Sequence, residues 1–142
     1  MKPSLRLTNA LHILVYIAAA RPDDSLSSKT IAGSINTNPS RVRALLSDLQ
    51  NAGILKREGD YPGRPVLARD SQAITFADVL QAVEDCASVF ALDKHTNPEC
   101  PVGSSIGQAL SKYYDEIDRD VLAILNKMVL ADLVNDVREI QH

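Results

Sequence analysis

Both cysteines and one of the three histidines lie in one stretch, where covalent or metal chemistry is to be sought first. Cys86, His95 and Cys100, with Glu99, are the available ligands, and the chain has two cysteines in all. An iron–sulfur cluster usually takes about four protein ligands, which this set does not supply. His95-x4-Cys100 is not a zinc spacing either, so no cofactor and no metal is expected. A thiol can still act alone. Cys100, with Cys86 as second candidate, reads as a sensor for an oxidant or electrophile if it reaches the thiolate, which Lys94 and His95 favour and Glu99 opposes. The competing reading is a thiol kept for packing, and Cys86, beside Asp85 at a helix end, fits that better. The signatures G-x-S-x-G, G-x-x-x-x-G-K-S/T and H-E-x-x-H are missing from the sequence. Asp115, Glu116, Asp118 and Asp120 read as the solvated face of a helix rather than an acid–base pair. The chain is not expected to be an enzyme.

A second chemistry, hydrogen bonding to a nucleic acid, has a clearer pattern. Val42, Leu45, Leu46 and Leu49 recur at i, i+3, i+4 and i+7 in a helix that Pro39 opens and Gly53 stops. At about 100° per residue, Ser40, Ala44, Ser47 and Asn51 lie opposite that stripe, flanked by Arg41 and Arg43. Small residues let a helix sit deep in the major groove, and the arginines then reach guanine edges or phosphates. Ser27 or Ser28 opens a short preceding helix with Ile31 and Ile35 on one face, and Asn36-Thr37-Asn38 makes the turn between the two. Ser28 and Lys29, at the free amides of that short helix, favour a phosphate. Arg64, read as the tip of a following hairpin, is placed for a narrow minor groove or the backbone beside it. The candidate DNA contacts are Ser28, Lys29, Thr37, Asn38, Ser40, Arg41, Arg43 and Arg64. The alternative is a dimeric helical adaptor that no longer binds DNA and uses these positions for protein contacts.

These residues need a scaffold. A helix from a Thr8 cap to about Ala20 is apolar almost all round and should be buried on several sides. Ile54–Glu58 and Val66–Arg69 flank the Gly/Pro-rich segment 59–65 and predict a β-hairpin wing, with Pro62 and Pro65 limiting how deeply its tip pairs. Thr75 and Asp78 make a capping pair for a fourth helix carrying Phe76, Val79, Leu80 and Val83. The connection from Asp85 to Ser104 is long for a compact domain, and length of that kind is often functional. Ser105 and Gln108 then predict a capping box for a long helix, in which Ile106, Leu110, Tyr113, Ile117, Val121, Ile124 and Met128 step by three and four. A second row, Tyr114, Leu122, Leu125 and Val129, makes the apolar stripe wider than one core face needs, as a helix pairing with a twin requires. Leu130, Leu133, Val134 and Val137 should fold back onto the first helix. The fold class is mainly α with a small β-hairpin wing. A winged helix-turn-helix domain over 1–84 is followed by a connecting, sensor loop over 85–104 and a dimerisation helix with its C-terminal segment over 105–142.

Length and charge agree with this division. The chain has 142 residues, enough for one domain with a helical appendage, and is 45% hydrophobic and 23% charged, which argues against disorder. No apolar run approaches the roughly 20 residues of a membrane span, and no signal-peptide pattern opens the sequence, so a cytoplasmic protein is expected. The net charge of −3 hides an asymmetry: residues 1–70 hold ten Lys and Arg against six Asp and Glu, and residues 71–142 hold five against twelve. A basic half joined to an acidic half is the pattern of a protein that meets nucleic acid with one part only.

Several stretches together resemble the Rrf-two (Rrf2) family of winged helix-turn-helix transcriptional regulators. They are Leu11-His12-Ile13-Leu14, Ile31-Ala32, Asn38-Pro39-Ser40-Arg41-Val42-Arg43, the run from Leu49 to Leu55, and the run from Ile74 to Glu84, and the likeness spans about residues 4–137. That family includes the iron–sulfur cluster regulator, the nitric-oxide-sensing repressor and the cysteine-metabolism repressor. The resemblance implies a homodimer with crossed long helices, two DNA-reading heads on a palindromic or pseudo-palindromic operator, and regulation, often repression, through the long connection. Cluster-binding members carry three closely spaced cysteines there. In this chain Cys100 falls near the last of those positions and the other two are empty. The Cys-Pro-Val-Gly run resembles a cluster-less branch found in some Gram-positive bacteria.

Overall fold

The computed structural model describes residues 4–85 and 88–141. Helix α1 (Arg6–Ala19) is the centre of the molecule, with Ala10, Ile13, Leu14, Val15 and Ile17 all buried. It starts ahead of Thr8, with Leu5 at the cap position and no side-chain cap. The expected Thr8 cap is therefore not the start. The first turn is held instead by Arg6, whose guanidinium bonds to two other helices.

Helices α2 (Ser28–Ile35) and α3 (Pro39–Asn51) follow as the sequence predicts. Ser27 caps α2 by accepting from the Thr30 amide at 3.1 Å, and Asn38 caps α3 by accepting from the Arg41 amide at 2.9 Å. Between them Asn36 takes the left-handed conformation (φ 63°) that ends α2, where asparagine is tolerated better than most residues. The stripe Val42, Leu45, Leu46 and Leu49 is buried, and it packs in one core with Ile13, Leu14, Ile31 and Ile54. Each such side chain stabilises the fold by about 1.5–3 kcal/mol through its removal from water.

The wing is a two-stranded antiparallel hairpin, β1 (Leu55–Glu58) and β2 (Arg64–Leu67), in register Leu55↔Leu67 to Glu58↔Arg64. Pro65 does not limit pairing as expected: it lies within β2 opposite Arg57. Gly63 closes the turn at φ +81°, and a Cβ there would come within 3.0 Å of the Arg57 Cβ and 3.1 Å of the Glu58 carbonyl oxygen. Only glycine fits that approach.

After a 3-10 turn (Ser71–Ala73), helix α4 (Phe76–Val83) starts on the expected box: Thr75 Oγ1 accepts from the Asp78 amide, and the Asp78 carboxylate accepts from the Thr75 amide, both at 3.0 Å. Helix α5 (Ile106–Leu125) is the long helix, but the Ser105–Gln108 box does not form. The Ser105 backbone is already helical (φ −112°, ψ −21°), and its hydroxyl donates backward to the Pro101 carbonyl at 2.8 Å. The helix also ends before Met128. There the chain is captured by the start of α4: the Phe76 amide donates to the Met128 carbonyl, and the Leu130 amide to the Ile74 carbonyl, both at 2.9 Å. Helix α6 (Leu130–Gln141) then returns along α1, with Leu130 and Val134 in the common core.

No residue of α5 is buried, and Tyr113 and Ile124 are 56% and 54% exposed. The helix rests chiefly on α4. In the described part of the connection, Phe90 packs on Tyr114 with ring centroids 5.5 Å apart, and Asp118 accepts from the Val89 amide and the Ser88 hydroxyl, both at 2.9 Å.

Candidate nucleic-acid interface

Helix α3 buries one face and leaves the opposite one open. Ser40, Ala44, Ser47 and Asn51 are exposed on that side, with Arg41 and Arg43 exposed on its flanks. Among the described residues no ion pair takes up Arg41, Arg43 or Lys29. Arg43 bends back to donate to the Ser40 hydroxyl at 3.2 Å, a single exposed hydrogen bond that a stronger acceptor can replace. The face therefore combines small side chains, which allow close approach, with two cations free to meet an anion.

The turn before α3 is built differently from its polar composition alone. The Asn38 carbonyl oxygen is committed to the cap, which leaves its amide nitrogen to donate outward. The Thr37 amide donates to the Ala32 carbonyl at 3.0 Å, and its side chain is half-buried. Ser28 and Lys29 are the first residues of α2, and Lys29 is exposed. The Ser27 hydroxyl is occupied as the α2 cap.

Arg64 is not at a free tip. The hairpin turn runs ahead of it, Arg64 opens β2, and its two guanidinium nitrogens donate to the carbonyls of Asp24 (2.5 Å) and Arg21 (2.8 Å). These carbonyls belong to the connection between α1 and α2, so Arg64 ties the wing to the helix-turn-helix. The physical reason is local: two loop carbonyls beside the strand, of which that of Arg21 also accepts from the Asp24 amide at 3.0 Å, match the spacing of the guanidinium fork. The wing contributes a cation that the spacing argument did not single out, Arg57. It lies with Arg43, Arg64, Ser27 and Ser28 around a cleft of about 670 Å³ between the wing and the two helices. Its signal was the strand period, since Arg57 is two residues from buried Leu55 and so faces the same side. Tyr61, at the tip, is almost fully exposed.

The candidate thiols stand apart from this surface. Cys86 lies outside the described residues. Cys100 is half-buried in a closed loop, its amide donating to the Asn97 carbonyl at 3.3 Å and its carbonyl accepting from the Ser104 amide at 2.9 Å. Thr96 closes the same loop through a 2.6 Å hydrogen bond to the Gly103 carbonyl.

An exposed helix of small and cationic residues, set behind a capped turn and beside a two-stranded wing, defines a winged helix-turn-helix DNA-binding protein. The chain belongs to the Rrf2 family, described as iron-dependent transcriptional regulators, whose profile matches residues 4–136. It is 37% identical over 130 residues to YwnA of Bacillus subtilis (strain 168), which by name is an HTH-type transcriptional regulator, with 92% of this chain and 95% of the relative covered. Its fold is similar to that of CymR (YrzC), the global cysteine regulator of B. subtilis, at a TM-score of 0.66 and 24% identity over 95% of this chain and 97% of that one. It is also similar to T. potens IscR, at a TM-score of 0.70 and 19% identity over 100% and 92%. The protein is thus an HTH-type transcriptional regulator and not an enzyme. Among the described residues no helix is long and apolar enough to cross a membrane.

The iron dependence in the family's description does not fit the donor set of this chain. Two cysteines fall short of a cluster that usually takes about four protein ligands. Among the described residues no three His, Cys, Asp or Glu side chains gather where they could share a metal ion.

Proposed function

We propose that this protein is a homodimeric repressor that reads a palindromic operator with one α3 helix in each major-groove half-site. The open face of α3, small residues flanked by Arg41 and Arg43, is the observation that carries the reading. Arg41 and Arg43 reach base edges or the phosphates beside them, with Ser40 and the Asn38 amide as shorter-range donors. Thr37 positions the turn. Ser28 and Lys29, at the amino end of α2, hold a backbone phosphate. Arg64 acts indirectly, by fixing the wing against the α1–α2 connection, and Arg57 offers the wing's own charge to the backbone.

A twenty-residue helix that buries none of its residues in its own protomer supports the dimer. A stable interface takes about 1,200–2,000 Å² of total buried surface, and two α5 helices with their exposed Tyr113 and Ile124 offer such a surface. A twin related by a two-fold axis presents two heads to one face of the duplex, which calls for a palindromic site. Occupation of that site blocks transcription. The half-buried Cys100 loop, on the connection into α5, is the point at which a peroxide-type oxidant would act on the dimer.

The test is a footprint on duplexes selected by the protein from a random pool, with reduced, peroxide-treated and Cys100→Ser protein. Two protected half-sites about 34–36 Å apart, or a multiple of that, are expected for the reduced dimer, with protection lost on oxidation only where Cys100 is present. A single half-site would contradict the dimeric reading. Equal protection in all three samples would remove the thiol switch and leave DNA binding intact.

A further inference from the structure

Arg6 makes two contacts that join distant parts of the chain. Its Nε donates to the Val83 carbonyl at 2.6 Å, and its Nη2 meets the Asp48 carboxylate at 2.6 Å. Val83 is the last residue of α4, and its carbonyl is among those a helix end leaves without an intrahelical partner. Asp48 is on α3, two turns after Arg41 and on the same flank. The connection that carries Cys100 starts at Asp85, two residues after Val83. One planar fork thus links the flank of the DNA-reading helix to the point where the connection leaves the head.

We infer that Arg6 is a positioning residue for DNA recognition, coupling the seating of α3 to the state of the connection. The inference rests on the DNA-reading role of α3 given above. A displacement of the α4 end pulls on Val83, and the guanidinium, which cannot keep both bonds after a shift of about an ångström, transmits it to Asp48. Coupling of this kind is reciprocal: DNA held by α3 must change the connection in return. Arg6 has a second effect, neutralising a carboxylate on the flank that approaches phosphate. The two effects separate by sign. If charge alone matters, Asp48→Ala tightens DNA binding and Arg6→Ala weakens it. If the strut matters, both variants break the same link.

The experiment measures amide hydrogen exchange over residues 84–100 in the full chain, free and bound to a duplex selected from a random pool by the wild type. Arg6→Ala, Asp48→Ala and Arg6→Lys are compared, each with thermal melting to show that it is folded. The wild type is expected to change exchange in this segment about threefold or more on binding DNA. All three variants should lose most of that change, because each alanine removes one partner of the link and a lysine has no planar fork to fix the two acceptors in register. A wild-type change that persists in Arg6→Ala or Arg6→Lys overturns the strut, as does a wild type that binds DNA with no change in the segment. A wild type that selects no duplex overturns the DNA reading and this coupling together. If Arg6→Ala fails to fold, the Asp48→Ala and Arg6→Lys results decide by the same criterion.

Discussion

At the scale of single residues, the polar side chains proposed to meet DNA divide into those already bonded within the protein and those left open. Asn38 is partly spent. Its oxygen caps α3, so Asn38→Ala should cost about 1 kcal/mol in urea denaturation, whereas Asn38→Ser keeps most of the cap. Unchanged stability in Asn38→Ala would contradict the cap. Arg64 is spent on two loop carbonyls. Arg64→Ala should therefore lower stability by about 1–2 kcal/mol while leaving the dependence of DNA affinity on salt unchanged. A shallower salt dependence in that variant would show that Arg64 meets phosphate directly. Arg41 and Arg43, proposed to meet DNA, have only the exposed hydrogen bond of Arg43 to Ser40 to displace.

At the scale of elements, local rules and long-range pairing divide the structure between them. The α2 start at Ser27 or Ser28, the Thr75 cap, the stop at Gly53 and the buried stripe of α3 were all legible, because each depends on residues within one or two turns. Asn38 reads in the sequence as a turn residue and not as the α3 cap that it is. The departures come from partners far along the chain. Helix α1 starts early because Arg6 is held by Asp48 and Val83. Helix α5 stops at Leu125 because the residues after it bond to the start of α4. Arg64 was legible as a wing residue but not as a tether, since Asp24 and Arg21 lie 40 and 43 positions away. The width of the α5 stripe is the sequence feature behind the proposed second surface, and no residue of α5 is buried in the protomer. Tyr113→Glu combined with Ile124→Glu should convert the proposed dimer to monomer in sedimentation, with thermal melting of the helix-turn-helix preserved. A dimer that survives both charges would place the interface elsewhere.

At the scale of the whole molecule, the charge of −3 averages two halves of the sequence of opposite character, which share one core. The basic half holds α1 to α3 and the wing, and the acidic half holds α4, α5 and α6. In the proposed reading, acidic surface repels the duplex, so the basic helix-turn-helix is the part that approaches it. The direct test of groove reading is the slope of log affinity against log salt for a selected duplex, measured for the wild type and for Arg41→Ala with Arg43→Ala. If α3 meets phosphates and base edges, the double variant binds at least tenfold more weakly, with a slope shallower by about one for each phosphate no longer neutralised. Equal affinity and equal slope in a folded double variant would contradict groove reading by α3.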